Sequence, residues 1–128
     1  MTVCFIIKHL NLQDILMLSI ILYQREDGAV QIDVRVEDET VWLTQQQIAE
    51  LFDTTKQNVN LHIQNIFNEG ELLPEATVKK SLTVQKEGAR EVRRQLAYYN
   101  LDVIISVGYR IKSIIATHFR QWATQRLR

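Results

Sequence analysis

Two helix-start signals ten residues apart constrain this chain more than anything else in its 128 residues. Thr44 with Gln47, and Thr54 with Gln57, each set a hydroxyl three positions before an amide that can reach back, the pattern of a capping box. Leu43 and Ile48 add a hydrophobic staple to the first start. Ile48, Ala49, Leu51 and Phe52 then give a short helix one apolar side, and Val59, Ile63, Ile66 and Phe67 do the same for a second helix that Gly70 stops. Asp53 and Thr54 interrupt between them. The spacing therefore predicts two short helices joined by a turn of a few residues, the arrangement of a DNA-binding helix-turn-helix. Ala49 fits a close helix crossing that admits only a small side chain. Four positions on, the left-handed turn usually takes glycine. Here it holds Asp53, one of the few other residues that tolerate that backbone.

The flanking sequence supplies strands. Ser19 to Gln24 and Val30 to Val36 are β-prone runs around Asp27-Gly28, a pair that favours a tight turn with positive φ at both residues. Ile32, Val34 and Val36 alternate with Asp33, Arg35 and Glu37, so one face is expected inside and the other wet. A second pair runs from Thr77 to Gln85 and from Glu91 to Tyr99, bending near Gly88. Val78, Leu82 and Val84 share one face, and Val92, Leu96 and Tyr98 another. Asn100 is placed to cap a helix ending near Gly108, and Ser113 to cap a last one with the stripe Ile114, Ile115, His118, Phe119, Trp122, Ala123 and Leu127. On that stripe His118 reads as a packed core histidine, and Arg120, Arg126 and Arg128 fall on other faces. The expected fold is α+β: a winged helix-turn-helix with an N-terminal β-hairpin and two C-terminal helices. Residues 19–128 form the single domain, and residues 1–18 an apolar leader outside the core.

The outer side of the second helix carries the functional expectation. At 100° per residue from Val59, the side opposite the core holds Gln57, Leu61, Gln64 and Asn68, flanked by Asn60 and Asn65. An idle solvent face is normally rich in Lys and Glu, whereas this one is almost wholly amide. Asn and Gln can pair with adenine N6 and N7 in the major groove, and Leu61 can meet a thymine methyl. Gln57, Asn60, Leu61, Gln64 and Asn68 are thus the expected base readers. A polar face of this kind also suits a partner protein, the alternative reading. The helix has only Lys56 to meet phosphate, and the following hairpin has Lys79, Lys80, Lys86, Arg90, Arg93 and Arg94. With Thr44 at the first helix start, these are the expected phosphate contacts, the hairpin acting as a wing. Charge is divided accordingly. Up to Val78 four cations face twelve carboxylates, and from Lys79 eleven cations face three. An anionic partner for the second half explains that division, and so does attraction between the halves.

Other classes find less support. Cys4 is the single cysteine, so neither an internal disulfide nor a cysteine-based zinc site is expected. Lys8, His9, Asn11, Gln13 and Asp14 break the apolar start too early for a membrane span of about 20 residues. It also lacks a secretory cleavage pattern. His9, His62 and His118 lack metal-ligand spacing, and the chain has neither a G-x-S-x-G elbow nor a P-loop. His62, at the edge of the second helix's core side, suits packing or a phosphate contact. The expectation is a cytoplasmic, non-enzymatic protein with no cofactor, metal or small-molecule substrate. Its partner would be double-stranded DNA, bound by a monomer or a homodimer on paired half-sites.

Several runs together resemble the RhuM-type virulence protein family: Val41-Trp42-Leu43-Thr44-Gln45, Phe67-Asn68-Glu69-Gly70-Glu71-Leu72, Tyr98-Tyr99-Asn100-Leu101-Asp102, Ile105-Ser106-Val107-Gly108-Tyr109-Arg110 and Phe119-Arg120-Gln121-Trp122-Ala123. They spread from Trp42 to the end. The closing segment is also similar to the Bro-N type of DNA-binding domain found in phage and viral proteins. The resemblance implies a bacterial, mobile-element-associated, virulence-related protein with an amino-terminal DNA-binding region and a role in transcription regulation or as an accessory factor. Family members continue well beyond this length and start differently, so a shortened chain with an atypical leader is expected.

Overall fold

The computed structural model describes residues 18–127, apart from the side chains of Leu18 and Gln85. The expected leader lies outside them except for Leu18, which already belongs to the first strand, and so does Arg128. In chain order the elements are β1 (Leu18–Gln24), β2 (Gln31–Glu37), β3 (Thr40–Leu43), α1 (Gln45–Leu51), α2 (Lys56–Asn68), α3 (Pro74–Thr77), β4 (Val78–Glu87), β5 (Arg90–Asn100), α4 (Leu101–Ile111) and α5 (Ser113–Arg126). The strands form one antiparallel sheet ordered β1-β2-β3-β5-β4. The fold is α+β, with the expected hairpin at its start and two helices at its end.

Strand alternation sets the core. Tyr23, Ile32, Val34, Val41, Leu43 and Tyr99 point to one face of the sheet and are buried with Ile48, Leu51 and Phe52 of the α1 segment, Val59, Ile63 and Ile66 of α2, Val103, Ile104 and Val107 of α4, and Ala116 and Phe119 of α5. Tyr23 meets Phe119 and Trp122 edge-on, at centroid distances of 5.0 and 4.9 Å, which fastens α5 to the first hairpin. Its hydroxyl is buried without a hydrogen-bond partner, and burial raises its pKa.

The α1–α2 unit follows the sequence closely. Thr44 Oγ1 accepts from the Gln47 amide at 3.2 Å, and Gln47 Oε1 accepts from the Thr44 amide at 3.0 Å, so the capping box is complete. Gln47 also donates to the Asp33 carbonyl at 3.0 Å, tying the helix start to β2. Asp53 has φ of 53°, the left-handed value anticipated for it. The Thr54 amide donates back to the Ala49 carbonyl at 2.9 Å, ending α1 as a Schellman turn with Asp in the usual glycine position. The second cap is displaced by one residue. Thr55, not Thr54, caps α2 through the Asn58 amide at 3.1 Å, and Thr54 instead accepts from the Asn58 side chain at 2.9 Å. At the far end Gly70, with φ of 73°, closes α2 with the bonds Gly70 N–H to Phe67 and Glu71 N–H to Ile66.

Elsewhere the structure corrects the reading. β3 was not anticipated: Asp38 and Glu39 both have positive φ, 55° and 63°, and turn β2 into β3 without any glycine to announce it. The short α3 was also missed. In the first hairpin only Gly28 is left-handed, at 73°, and Asp27 uses its carboxylate as an acceptor from Arg25 and the Ala29 amide. α4 does not stop near Gly108. It runs through it to Ile111, and glycine stands there because a β-carbon would sit 2.4 Å from Phe52 Cζ and 2.7 Å from Ala116 Cβ. Glycine serves close helix packing at that position. Asn100 does cap α4, accepting from the Val103 amide at 3.3 Å, whereas Ser113 begins α5 with no side-chain cap. Ile114 is exposed, and Ala116 takes its place in the core. His118 is partly exposed, 3.4 Å from the Glu26 carboxylate, and is not a core residue.

Candidate functional site

α2 is amphipathic about one sharp boundary. Val59, Ile63 and Ile66 are buried, while Lys56, Gln57, Asn60, Leu61, Gln64 and Asn68 are exposed and Asn65 half-buried. The face assigned from helical geometry is therefore the free face. Leu61 is 57% exposed, so packing among the described residues does not account for it. From Gln57 to Asn68 the stripe spans about 16 Å at 1.5 Å per residue. A helix about 10–12 Å across fits a major groove about 12 Å wide.

Asn60 is tied to the sheet. Gln45 Nε2 donates both to Asn60 Oδ1 and to the Tyr99 hydroxyl, each at 3.0 Å. This bridge sets the middle of the α2 face at the root of the β4–β5 hairpin. Gln45 was not singled out from the sequence, and nothing local marks it, because its partners lie 15 and 54 residues away. His62 is half-buried, and its Nδ1 has no hydrogen-bond partner.

Beneath the α1–α2 turn lies Arg25, also missed. Its side chain is 7% exposed and reaches Asp27 at 2.7 Å, Asp53 at 2.9 Å and the Leu51 carbonyl at 3.1 Å. One guanidinium thus joins the first hairpin, the end of α1 and the left-handed turn. The two carboxylates raise the Arg25 pKa, and Arg25 in turn lowers that of Asp27 to about 2. A sequence reading could find an arginine beside an Asp-Gly turn but not the carbonyl it would satisfy 26 residues later.

The β4–β5 hairpin projects. β3 pairs with β5 only at Trp42–Asn100 and Leu43–Tyr99, so the ribbon from Arg90 to Ala97 extends about 25 Å past β3. Its expected cations are not equivalent. Lys79 is held by Glu37 at 2.7 Å and Asp38 at 3.1 Å, and Arg94 by Glu87 with an Nε–O distance of 2.8 Å. Lys80, Lys86, Arg90 and Arg93 are exposed and make no ion pair among the described residues. Leu82 and Val84, expected to share one face with Val78, are 61% and 40% exposed, because no element among the described residues covers the projecting ribbon. Thr44 is half-buried and its hydroxyl is engaged in the cap.

Attraction between the halves accounts for part of the charge division. Lys79 pairs with Glu37 and Asp38, and Arg110 with Glu69 at 2.9 Å, so some second-half cations do answer first-half carboxylates. The ribbon cations outside these pairs are left for solvent or a ligand.

Fold and site together define a mixed α+β protein with a free amide-lined helix face beside a projecting cationic ribbon. By comparison, residues 76–128, which comprise the ribbon and both closing helices, match the model of the Virulence protein RhuM family. The runs at Tyr98–Asp102, Ile105–Arg110 and Phe119–Ala123 fall within the match, and those at Val41–Gln45 and Phe67–Leu72 lie outside it. No curated protein and no solved structure matches the chain. Among the described residues no helix is long and apolar enough to cross a membrane.

Proposed function

We infer that this protein binds double-stranded DNA as a winged helix-turn-helix, with α2 in the major groove and the β4–β5 ribbon as the wing. The observation that carries the reading is the free face of α2. Gln57, Gln64 and Asn68 offer paired donors and acceptors, Asn60 its amide group beside its bond to Gln45, Leu61 an apolar contact, and none of the five is buried in the core. Amides of this kind read base edges, whereas cations on a flanking element hold phosphates. Such a protein acts in the cytoplasm as a transcriptional regulator or as an accessory factor of a mobile element, not as an enzyme.

The test is a duplex titration at two salt concentrations, followed by selection of a preferred site. Binding should weaken steeply with salt. Changing Gln57 and Gln64 to alanine should cost about 1–3 kcal/mol of discrimination for each base read. Discrimination that is unchanged in this variant rules out α2 as the reading helix. Absence of duplex binding at low salt favours the protein-interaction alternative, in which the low cation content of α2 is a natural feature.

A further inference from the structure

We propose that only one face of the β4–β5 ribbon meets the DNA backbone: the face of Lys80, Leu82, Val84 and Lys86 on β4 and of Arg93 and Gln95 on β5. The proposal rests on the DNA-binding reading above and specifies which side of the wing the duplex occupies.

Ladder register divides the ribbon. Lys80 lies opposite Ala97, Leu82 opposite Gln95, Val84 opposite Arg93 and Lys86 opposite Glu91, so these residues share a face. The next pair on that face is Val78 with Tyr99, and Tyr99, Val78 and Ala97 all pack against the core. This is therefore the helix side of the sheet. Tyr99 is also the residue that Gln45 links to Asn60 of α2. The face thus rises from the foot of the amide-lined helix, and a duplex seated on α2 runs up against it.

The opposite face is occupied by its own partners. Lys79 is held by Glu37 and Asp38, Arg94 by Glu87, and Arg35 lies 4.4 Å from the Tyr98 ring centroid with its Nη1 donating to Ser81. Of its ribbon cations only Arg90, beside the tip, makes no ion pair among the described residues. On the helix side Lys80, Lys86 and Arg93 make none among the described residues, and the one carboxylate of that face, Glu91, lies opposite Lys86 near the tip. Between them sit Leu82 and Val84, the exposed apolar pair that the fold leaves uncovered. Cations spaced around short apolar side chains suit a sugar–phosphate strand, whose phosphates are anionic and whose deoxyribose edges are apolar. That charge complementarity selects a nucleic-acid backbone over a neutral protein surface.

The experiment compares the full chain with three variants in duplex titrations over a range of salt. Lys80→Gln with Lys86→Gln and Arg93→Gln should lower the slope of log K against log salt by about 2–3, at roughly 0.9 for each phosphate no longer neutralised. Arg90→Gln with the charge-neutral pair Arg94→Gln and Glu87→Gln should lower it by no more than about 1. Leu82→Ala with Val84→Ala should weaken binding ~10-fold at fixed salt and leave the slope unchanged, since apolar contacts release no counterions. Equal slope losses from the two charge variants overturn the one-faced wing while leaving DNA binding intact. Full-strength binding by the Leu82/Val84 variant, with loss of a dimer seen by sedimentation in the wild type, assigns the face to a second copy and also overturns it. Absence of duplex binding by the wild type overturns both this proposal and the reading beneath it.

Discussion

Gly108→Ala tests the packing that positions the two closing helices. In an open helix this change stabilises by about 1 kcal/mol, since alanine is the better helix former. Here the added methyl falls 2.4 and 2.7 Å from Phe52 Cζ and Cε1 and 2.7 Å from Ala116 Cβ, where carbon atoms favour about 3.5–4.0 Å. Neither neighbour can retreat easily. Phe52 and Ala116 are fully buried, and α4 and α5 are joined by the single residue Lys112. Overpacking a tight core costs about 1–3 kcal/mol and occasionally more, and contacts this short belong at the upper end. Taking about 3.5 kcal/mol for the clash and subtracting the helix gain leaves about 2.5 kcal/mol of destabilisation. For a chain of 128 residues, at about 2.1 cal/mol/K per residue, this lowers Tm by about 9 °C. Circular-dichroism melts and urea titrations read it directly. In the Gly108→Ala background, Phe52→Leu should cost less than it does in the wild type, with a coupling of at least about 1 kcal/mol in a double-mutant cycle. A Gly108→Ala protein at least as stable as the wild type would refute the argument, because the clash would then cost no more than the gain in helix propensity.

Four further outcomes follow from the same geometry. Arg25→Met keeps the buried stem but strips the Leu51 carbonyl and Asp53 of their partner, and should cost about 2 kcal/mol in urea unfolding. Asp53→Gly should cost far less, because glycine relieves the left-handed backbone as it gives up one half-exposed carboxylate. Asp27, paired with Arg25 and held near pKa 2, is depressed below its ordinary 3.8, so its contribution is present above about pH 4 and is lost as pH falls through 2. The stability difference between wild type and Asp27→Asn should therefore close between pH 5 and about pH 2, and a difference constant over that range contradicts the ion pair. Asn100→Ala removes the cap of α4 and should cost about 1 kcal/mol, measured as the shift in urea midpoint.

The charge of the whole chain conceals its arrangement. Equal numbers of cations and carboxylates give a net charge of zero, yet the partnerless cations on the helix side of the ribbon stand beside a helix face with almost no charge of its own. A neutral protein arranged in this way can present a local positive field to a duplex without global attraction. On the proposed DNA-binding reading, its association rate with a duplex should respond to ribbon charges more than to changes elsewhere.

Local signals in the sequence determined the α1–α2 unit. A capping box, a left-handed aspartate and apolar positions at three and four act within a few residues of one another, so Thr44, Asp53, Val59 and Gly70 could be read in place. The same periodicity determined which side of α2 is free, since burial of Val59, Ile63 and Ile66 leaves Gln57, Leu61, Gln64 and Asn68 outside. Tertiary structure alone decided the rest. Gly108 reads as a helix stop until Phe52, 56 positions earlier in the chain, is seen to need its space. Leu82 and Val84 alternate like core residues, and only the shortness of β3 shows that no described element covers them. Lys79 and Arg94 look identical to Lys80 and Arg93 in composition. Their difference arises because period-two alternation turns adjacent side chains to opposite faces, and among the described residues Lys79 and Arg94 on one face form ion pairs while Lys80 and Arg93 on the other form none. Contacts within a turn of helix are encoded side by side, whereas contacts between elements depend on where the chain returns.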